Sequence, residues 1–279
     1  MKIENLLISG GGIKGIASAA SLEYLDENNK LKDLKKIVGS SIGALIGTLM
    51  CCNISLKQIK LLLKGINFSE LQKFDVSLFL SDYGFDQGDN FLKFFNTVLL
   101  SKNLNPEMTF QELHKISKYE LILIGTNISK SKTTYFSYKD FPDFKVRDAL
   151  KISAGYPIAF TPSIINGDKY ADGAIASPMG SELLTEKEKE ITLGIAIHRG
   201  IPSYNTDSLP SYLFSIIGCI VDSLTDWNVK NLKHCIKISY PLHAMDFDIN
   251  DEQKSQLEEE GIRVAKEWLD NLEESKTKK

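Results

Sequence analysis

Three consecutive glycines, Gly10–Gly12, follow the short apolar run Leu6–Ile8 and precede a stretch with apolar residues at helical spacing, Ile16–Leu25. This order predicts a buried strand, a tight turn and a helix. The pattern repeats at once, because Lys36–Gly39 predicts a second strand and Ser41–Cys52 a second, buried helix. Strands and helices that alternate in this way predict an α/β chain with a mostly parallel sheet and right-handed crossovers.

The rest of the chain continues the alternation. Helical patterns are expected at 56–116, interrupted by an acidic loop at 81–90, and at 147–153, 209–227 and 251–274. Strands are expected at 119–125, 133–137, 191–197 and 235–239. No internal repeat or long linker divides the 279 residues. We therefore expect one domain spanning residues 1–279.

Charge and hydropathy exclude several classes of protein. The 33 Lys and Arg residues, only three of them Arg, nearly balance 36 Asp and Glu residues, which argues against a nucleic-acid binder. The first residues do not resemble a signal peptide, and the longest apolar-rich stretch, Leu213–Val221, is too short to cross a bilayer. We expect a cytoplasmic protein or one at a membrane surface, and delivery as an effector remains compatible with the sequence.

The first motif is Gly10-Gly11-Gly12-Ile13-Lys14-Gly15, at the predicted start of the first helix. Glycines there let backbone N–H groups face a ligand, and the helix terminus favours negative charge. Such a turn binds a pyrophosphate or an oxyanion, or is a tight turn without a ligand. Dinucleotide binding also requires an acidic residue at the end of the second strand. This strand instead ends at Gly39-Ser40-Ser41, which counts against a nucleotide-binding module.

The second motif occupies that position. Gly39-Ser40-Ser41-Ile42-Gly43 matches the G-x-S-x-G nucleophile elbow, and a strand before it and a helix after it are both predicted. Ser41 is therefore a candidate nucleophile, although a serine there is also a common helix N-cap. A serine hydroxyl needs a base. Of four histidines, only His198, at the end of a predicted strand, is well placed for a catalytic triad.

The third motif, Asp172-Gly173-Ala174, offers a carboxylate instead. An aspartate with an ordinary pKa is a poor base at neutral pH, but desolvation beside an apolar pocket raises the pKa. Taken alone, an Asp-Gly pair is also a common turn. The base therefore remains open between Asp172 and His198 on these grounds.

In this order the three motifs resemble those of the patatin-like phospholipase family, with its G-G-G-x-[KR]-G loop, G-x-S-x-G elbow and D-G-[GA] motif. Segments between them, such as Tyr83–Asp89 and Ala149–Pro162, also resemble the family, so the resemblance covers about residues 5–180. It implies a three-layer α/β fold, with a mostly parallel central sheet and helices on both faces. It also implies a lipid acyl hydrolase that meets lipid at a membrane or micelle surface.

The resemblance assigns roles to individual residues. Ser41 becomes the nucleophile and Asp172 the proton acceptor of a dyad without histidine, and backbone N–H groups at Gly11 and Gly12, with Ile13, hold the oxyanion. Lys14 matches a basic position that either anchors the loop or meets a lipid phosphate. Two features depart from the family pattern: Ile42 is bulkier than usual, and Ser177-Pro178 stands where many members carry Asn-x-Pro.

The apolar segment Phe74–Leu100 is either a packed helical cap or an interfacial lid over an acyl groove. We expect no calcium requirement, because Gly84 stands where an EF-hand would place its second acidic ligand, and we expect no other metal or cofactor. Two alternatives to the dyad remain, a triad esterase using His198 and a non-catalytic nucleotide- or lipid-binding module. The sequence does not indicate the oligomeric state.

Overall fold

The computed structural model describes residues 2–71, 75–200, 206–242, 246 and 248–277. The strands in these ranges are β1 (Asn5–Ile8), β2 (Lys36–Gly39), β3 (Gly84–Asp86), β4 (Glu120–Asn127), β5 (Lys132–Ser137), β6 (Ile158–Phe160), β7 (Ser163–Ile165), β8 (Asp168–Asp172), β9 (Thr192–Arg199) and β10 (Cys235–Tyr240). The α-helices are α1 (Gly15–Glu27), α2 (Ile42–Cys51), α3 (Leu56–Gly65), α4 (Val76–Asp82), α5 (Asp89–Ser101), α6 (Phe110–Ile116), α7 (Val146–Ser153), α8 (Glu186–Lys189), α9 (Leu209–Lys230) and α10 (Asp251–Thr277).

The main sheet has eight strands, with the path β10-β9-β1-β2-β4-β8-β7 and with β5 also paired to β4. The five strands from β10 to β4 are parallel, whereas β5, β7 and β8 run antiparallel to their neighbours. A separate pair of parallel strands joins β3 to β6. The mostly parallel α/β sheet expected from the sequence is confirmed.

Alternate side chains of each strand point to opposite sides of the sheet, and both faces of the sheet are buried. Leu6 and Ile8 of β1 belong to a large core cluster that also contains residues of α1, α2, α3 and α10. Leu7, between them, belongs to a second cluster with Val38 and with Val229 of α9. Helices on both faces of one sheet give the three layers that were expected.

The expectation of an unbroken loop at 81–90 is wrong. Helix α4 continues to Asp82, Gly84–Asp86 forms β3, and α5 begins at Asp89. A three-residue strand shows no periodicity, and its partner β6 lies about 70 residues away, so local sequence gave no sign of it. None of the described helices is both long enough and apolar enough to cross a membrane.

The last helix, α10, packs closely against α1 through a glycine. A Cβ atom at Gly261 would lie 2.2 Å from the carbonyl oxygen of Ala17, which is far inside van der Waals contact. The Ser21 hydroxyl donates a 2.7 Å hydrogen bond to the Gly261 carbonyl oxygen across the same contact. The absence of a side chain at Gly261 therefore sets the distance between the two helices.

We expect Gly261→Ala to lower the free energy of unfolding by at least about 2 kcal/mol, because the new methyl group forces the two backbones apart. The matched control is Gly65→Ala, also in a helix, where a Cβ meets nothing within 4 Å. It should stabilise the chain by about 0.5–1 kcal/mol, because alanine is the better helix former. Urea denaturation of both variants measures the difference, and equal effects would contradict this description of the contact.

Candidate active site

The register of strand β4 brings two strand ends together. Strand β2 runs parallel to β4 and ends with Gly39 opposite Leu123. Strand β8 comes from the other direction along β4 and ends with Asp172 opposite Gly125. The two carboxyl ends thus meet beside β4 with a single residue, Ile124, between their partners. The turn that follows β2 therefore begins close to Asp172.

Ser41 lies in the sharp turn between β2 and α2. Its backbone has φ 53° and ψ −126°, a conformation that costs a residue other than glycine about 1–3 kcal/mol. Ser41 occupies the N-cap position of α2, but its side chain makes no capping hydrogen bond, so the simple N-cap interpretation does not describe its hydroxyl. A Cβ at Gly43 would lie 2.3 Å from the Ile8 carbonyl oxygen, so this glycine is required for α2 to start against β1.

Buried serines on either side hold this turn in place. The Ser40 hydroxyl, fully buried, donates to the Pro178 carbonyl oxygen at 2.7 Å and accepts from the Gly10 N–H at 3.1 Å. The Ser41 N–H donates to the backbone oxygen and the side-chain oxygen of Ser153, at 3.0 and 3.2 Å. Ser153 was not singled out as a site residue, although it ends a predicted helix and lies in the segment Ala149–Pro162 that resembles the family.

The glycine turn lies against Ser41. A Cβ at Gly10 would lie 3.0 Å from the Ser41 Cβ and 3.5 Å from the Ala174 Cβ, so all three motifs meet at this residue. Gly12 has φ 57°, a conformation that glycine adopts without strain. A side chain at Gly11 would clash with Ile197, because an added Cβ would lie 2.4 Å from the Ile197 Cδ1.

Several backbone N–H groups around Ser41 are unused. Those of Gly11, Gly12 and Ile13 donate no hydrogen bond to any residue that the structure describes. The same holds for the N–H of Ile42, at the first position of α2. Gly11 and Gly12 are only half-buried. The Ile42 N–H was not among the expected oxyanion donors, although the residue after an elbow serine supplies one in other hydrolases.

Asp172 is completely buried. Its Oδ1 accepts a 2.8 Å hydrogen bond from the Ala174 N–H, and its own N–H donates to the Gly155 carbonyl oxygen at 2.9 Å. Oδ2 accepts no hydrogen bond of ordinary geometry from the described residues, yet the Ser41 hydroxyl is close enough to influence the carboxyl group. Burial raises the pKa of Asp172 to about 7, against the lowering effects of the Ala174 N–H and the Ser41 hydroxyl.

Gly173 and Gly15 explain two local features of the motifs. A Cβ at Gly173 would lie 2.3 Å from the Ile124 carbonyl oxygen, so a glycine must follow Asp172 where the chain passes β4. A Cβ at Gly15 would lie 2.2 Å from Cγ1 of Ile42. The bulky Ile42 side chain therefore occupies the space that Gly15 leaves open.

Lys14 anchors the glycine turn. Its side chain is almost fully buried, and its Nζ donates a 3.3 Å hydrogen bond to the His198 carbonyl oxygen on β9. Burial lowers the pKa of Lys14 to about 8, while the carboxylates of Asp222 and Asp246 act in the opposite direction. Of the two roles left open by the sequence, this arrangement favours anchoring over contact with a lipid phosphate.

The described contacts do not bring the His198 side chain to Ser41. Its Nδ1 lies 3.1 Å from Oδ1 of Asp226 on α9, its Nε2 is buried without a hydrogen bond among the described residues, and burial lowers its pKa. His114 is half-buried and stacks on Tyr138, His234 is partly exposed, and His243 lies outside the described residues. Within the described ranges, no group of three His, Cys, Asp or Glu side chains is placed to hold a metal ion.

The chain is similar to several known proteins. A family model, patatin-like phospholipase, matches residues 6–184. An uncharacterized protein of Acanthamoeba polyphaga mimivirus, R571, is 26% identical over 97% of this chain and 95% of its own. A probable lipid hydrolase of Invertebrate iridescent virus 6, 463L, is 29% identical over 62% of this chain and 60% of its own. The structure of VipD from Legionella pneumophila has a TM-score of 0.69 at 18% identity, over 97% of this chain and 67% of VipD, and thus has a similar fold.

The burial of Asp172 predicts a pH-dependent stability difference between the wild type and Asp172→Asn. From its ordinary pKa of 3.8 up to about 7, the folded wild type keeps a proton that the unfolded chain has lost. Wild-type stability should therefore fall, relative to the variant, by about 1.4 kcal/mol per pH unit across this window and then level off.

Chemical denaturation at several pH values from about 5 to about 8 measures this difference. Ser41→Ala removes no titrating group and should follow the wild-type slope. A stability difference between wild type and Asp172→Asn that stays constant with pH would contradict the raised pKa.

Proposed function

The chain belongs to the patatin-like phospholipase family, a family of lipid hydrolases, and we propose that it cleaves fatty-acyl esters of phospholipids or related lipids with Ser41 as nucleophile and Asp172 as base. The observation that carries this proposal is the position of a completely buried carboxyl group beside a serine hydroxyl that caps no helix.

The proposed acylation starts with attack by Ser41 Oγ on the carbonyl carbon of the ester, while Oδ2 of Asp172 takes the hydroxyl proton. A pKa of about 7 suits this step, because at neutral pH a large fraction of the carboxyl groups is ionised and still basic enough to accept a proton. The Ala174 N–H donates to Oδ1, whereas Oδ2 accepts no hydrogen bond from the described residues, which supports Oδ2 as the oxygen that takes the proton.

The negative charge that develops on the substrate oxygen has to be stabilised by hydrogen-bond donors. The N–H groups of Gly11 and Gly12, with those of Ile13 and Ile42, donate to no described residue and are the proposed oxyanion hole. The turn of Gly10–Gly15 and the elbow of Gly39–Gly43 hold them in place. One such donor contributes about 3 kcal/mol to transition-state stabilisation in comparable sites. The start of α2 at Ile42 adds its positive dipole end.

Collapse of the tetrahedral intermediate releases the alcohol, which takes the proton from Asp172 as it leaves. A water molecule then attacks the acyl-enzyme, Asp172 accepts its proton, and the second collapse returns that proton to Ser41 and releases the fatty acid. Each half-reaction thus ends with the carboxyl group in its starting state, so one residue serves as base and acid in turn.

Contact with lipid at a peripheral membrane or micelle surface is part of this proposal. In the segment Phe74–Leu100, Phe74 lies outside the described residues, Phe85 and Phe95 are buried, and Val76 and Leu80 are exposed. The segment therefore combines features of both expected forms, a packed cap with an apolar outer surface. The near-neutral net charge of −3 offers no general attraction to anionic lipid.

We expect Ser41→Ala to abolish hydrolysis of fatty-acyl esters and labelling by a fluorophosphonate probe. Asp172→Asn should lower kcat/KM by about 10²–10⁴-fold, because it removes the general base while keeping the shape of the side chain. His198→Ala is the control for the triad alternative and should keep activity within about threefold of wild type. Equal losses in His198→Ala and Ser41→Ala would overturn the proposed base.

The pH profile gives an independent prediction. Activity requires ionised Asp172, so kcat/KM should be low at pH 5, rise with a slope of one proton through about pH 7, and then level off. Hydrolysis of a soluble short-chain ester across this range measures the profile. A plateau that is already complete by pH 5 would show that a base with an ordinary carboxyl pKa is used instead.

A further inference from the structure

Helix α9 exposes a row of large apolar side chains. Five of them are between 41% and 63% exposed and follow one another at intervals of 3, 4, 4 and 7 residues, so they lie on one face of the helix. We call this face the α9 stripe; it consists of Leu209, Tyr212, Ile216, Ile220 and Trp227. At 1.5 Å per residue the stripe is about 27 Å long.

Packing within the chain does not explain this face. The residues of α9 that are buried are mostly small or polar: Ser215, Gly218, Thr225, Asn228 and Val229. A helix at the surface of a globular protein places its large apolar residues toward the core. Helix α9 instead carries them on both faces, and the described residues leave about half of each side chain in this row uncovered.

The stripe belongs to a helix that borders the site. Helix α9 contacts the short turn Gly173–Ile175, directly after Asp172, and also contacts β6. Phe214 of α9 stacks on Tyr156 with ring centroids 6.2 Å apart, one residue after the Gly155 that accepts the Asp172 N–H. A second copy of the chain seated on this face would cover the border of a site that a lipid has to reach.

The chemistry of the stripe indicates an uncharged lipid surface. No charged residue occurs between Ser208 and Val221, so this part of the face can be withdrawn from water without burying an unpaired charged side chain. Tyr212 and Trp227 combine an apolar ring with one polar atom, which suits them to the headgroup level of a bilayer. Val76 and Leu80 of α4 are exposed as well, and α4 packs on β3, the partner strand of β6.

We infer that the α9 stripe docks onto the surface of a zwitterionic phospholipid membrane and so holds the Ser41 site against its substrate. The inference rests on the proposed function, because docking at a membrane serves the Ser41 site only if its substrate is a lipid. Attachment is by apolar contact along the helix, which lies in the interface and does not span the bilayer.

The test measures co-sedimentation of the full chain with phosphatidylcholine vesicles, in a Ser41→Ala background so that the vesicles stay intact. The stripe variant is Ile216→Ser with Ile220→Ser. Its matched control is Leu61→Ser with Ile116→Ser, two aliphatic residues of similar exposure on α3 and α6. We expect the stripe variant to partition at least about tenfold less, and the control within twofold of the parent. Thermal denaturation checks that both remain folded.

Salt separates apolar docking from electrostatic attraction. Because the stripe lacks charged residues over most of its length, raising the ionic strength to about 0.5 M should leave the vesicle-bound fraction of the parent unchanged. Loss of binding in salt, or binding that requires anionic lipid, would overturn the inference.

The outcomes also separate the inference from the proposed function. If vesicle binding depends on the stripe but no ester is hydrolysed by the wild type, the inference stands and the proposed function fails. If the wild type hydrolyses a soluble short-chain ester but stripe and control variants bind vesicles equally, the inference fails and the proposed function stands. A dimer in light scattering that the stripe variant dissociates would identify a second copy as the occupant and overturn the inference.

Discussion

The structure of the site depends on two strand ends that meet beside one strand. Parallel β2 and antiparallel β8 share the same edge of β4 and stop on either side of Ile124. This brings the sharp turn that carries Ser41 close enough to the buried carboxyl group of Asp172 to influence its pKa. The glycines of the three motifs follow from the same constraint, since Gly43 and Gly173 pass within van der Waals distance of neighbouring carbonyl oxygens.

That arrangement has a cost in stability. Ser41 is held in a strained backbone conformation, and Asp172 is withdrawn from water with no cation of the described residues beside it. Buried hydrogen bonds from Ser40 to Pro178 and from the Ser41 N–H to Ser153 oppose both costs by fixing the turn. The same desolvation that destabilises the ionised carboxylate raises its pKa into the range in which it is useful as a base.

Much of the fold was predictable because its signals are local. Runs such as Leu6–Ile8 and Lys36–Gly39 are short, apolar and followed by helical periodicity, and the structure confirms them as strands. Local patterns did not predict β3, because its partner strand is distant in sequence. They also did not predict the role of Ser153, which accepts a hydrogen bond from the Ser41 N–H 112 residues away. The outward face of α9 was also missed, because periodicity identifies an apolar face but not which way it points. One domain over residues 1–279 stays a prediction.

The proposed chemistry depends on a buried carboxyl group beside Ser41 that keeps its proton up to about pH 7. Infrared difference spectroscopy of ¹³C-aspartate-labelled protein, wild type against Asp172→Asn, observes that group directly. We expect one aspartic-acid band, absent from the variant, that converts to carboxylate near pH 7. If all aspartates of the wild type are ionised by about pH 5, the carboxyl group is solvated in solution and the account is wrong.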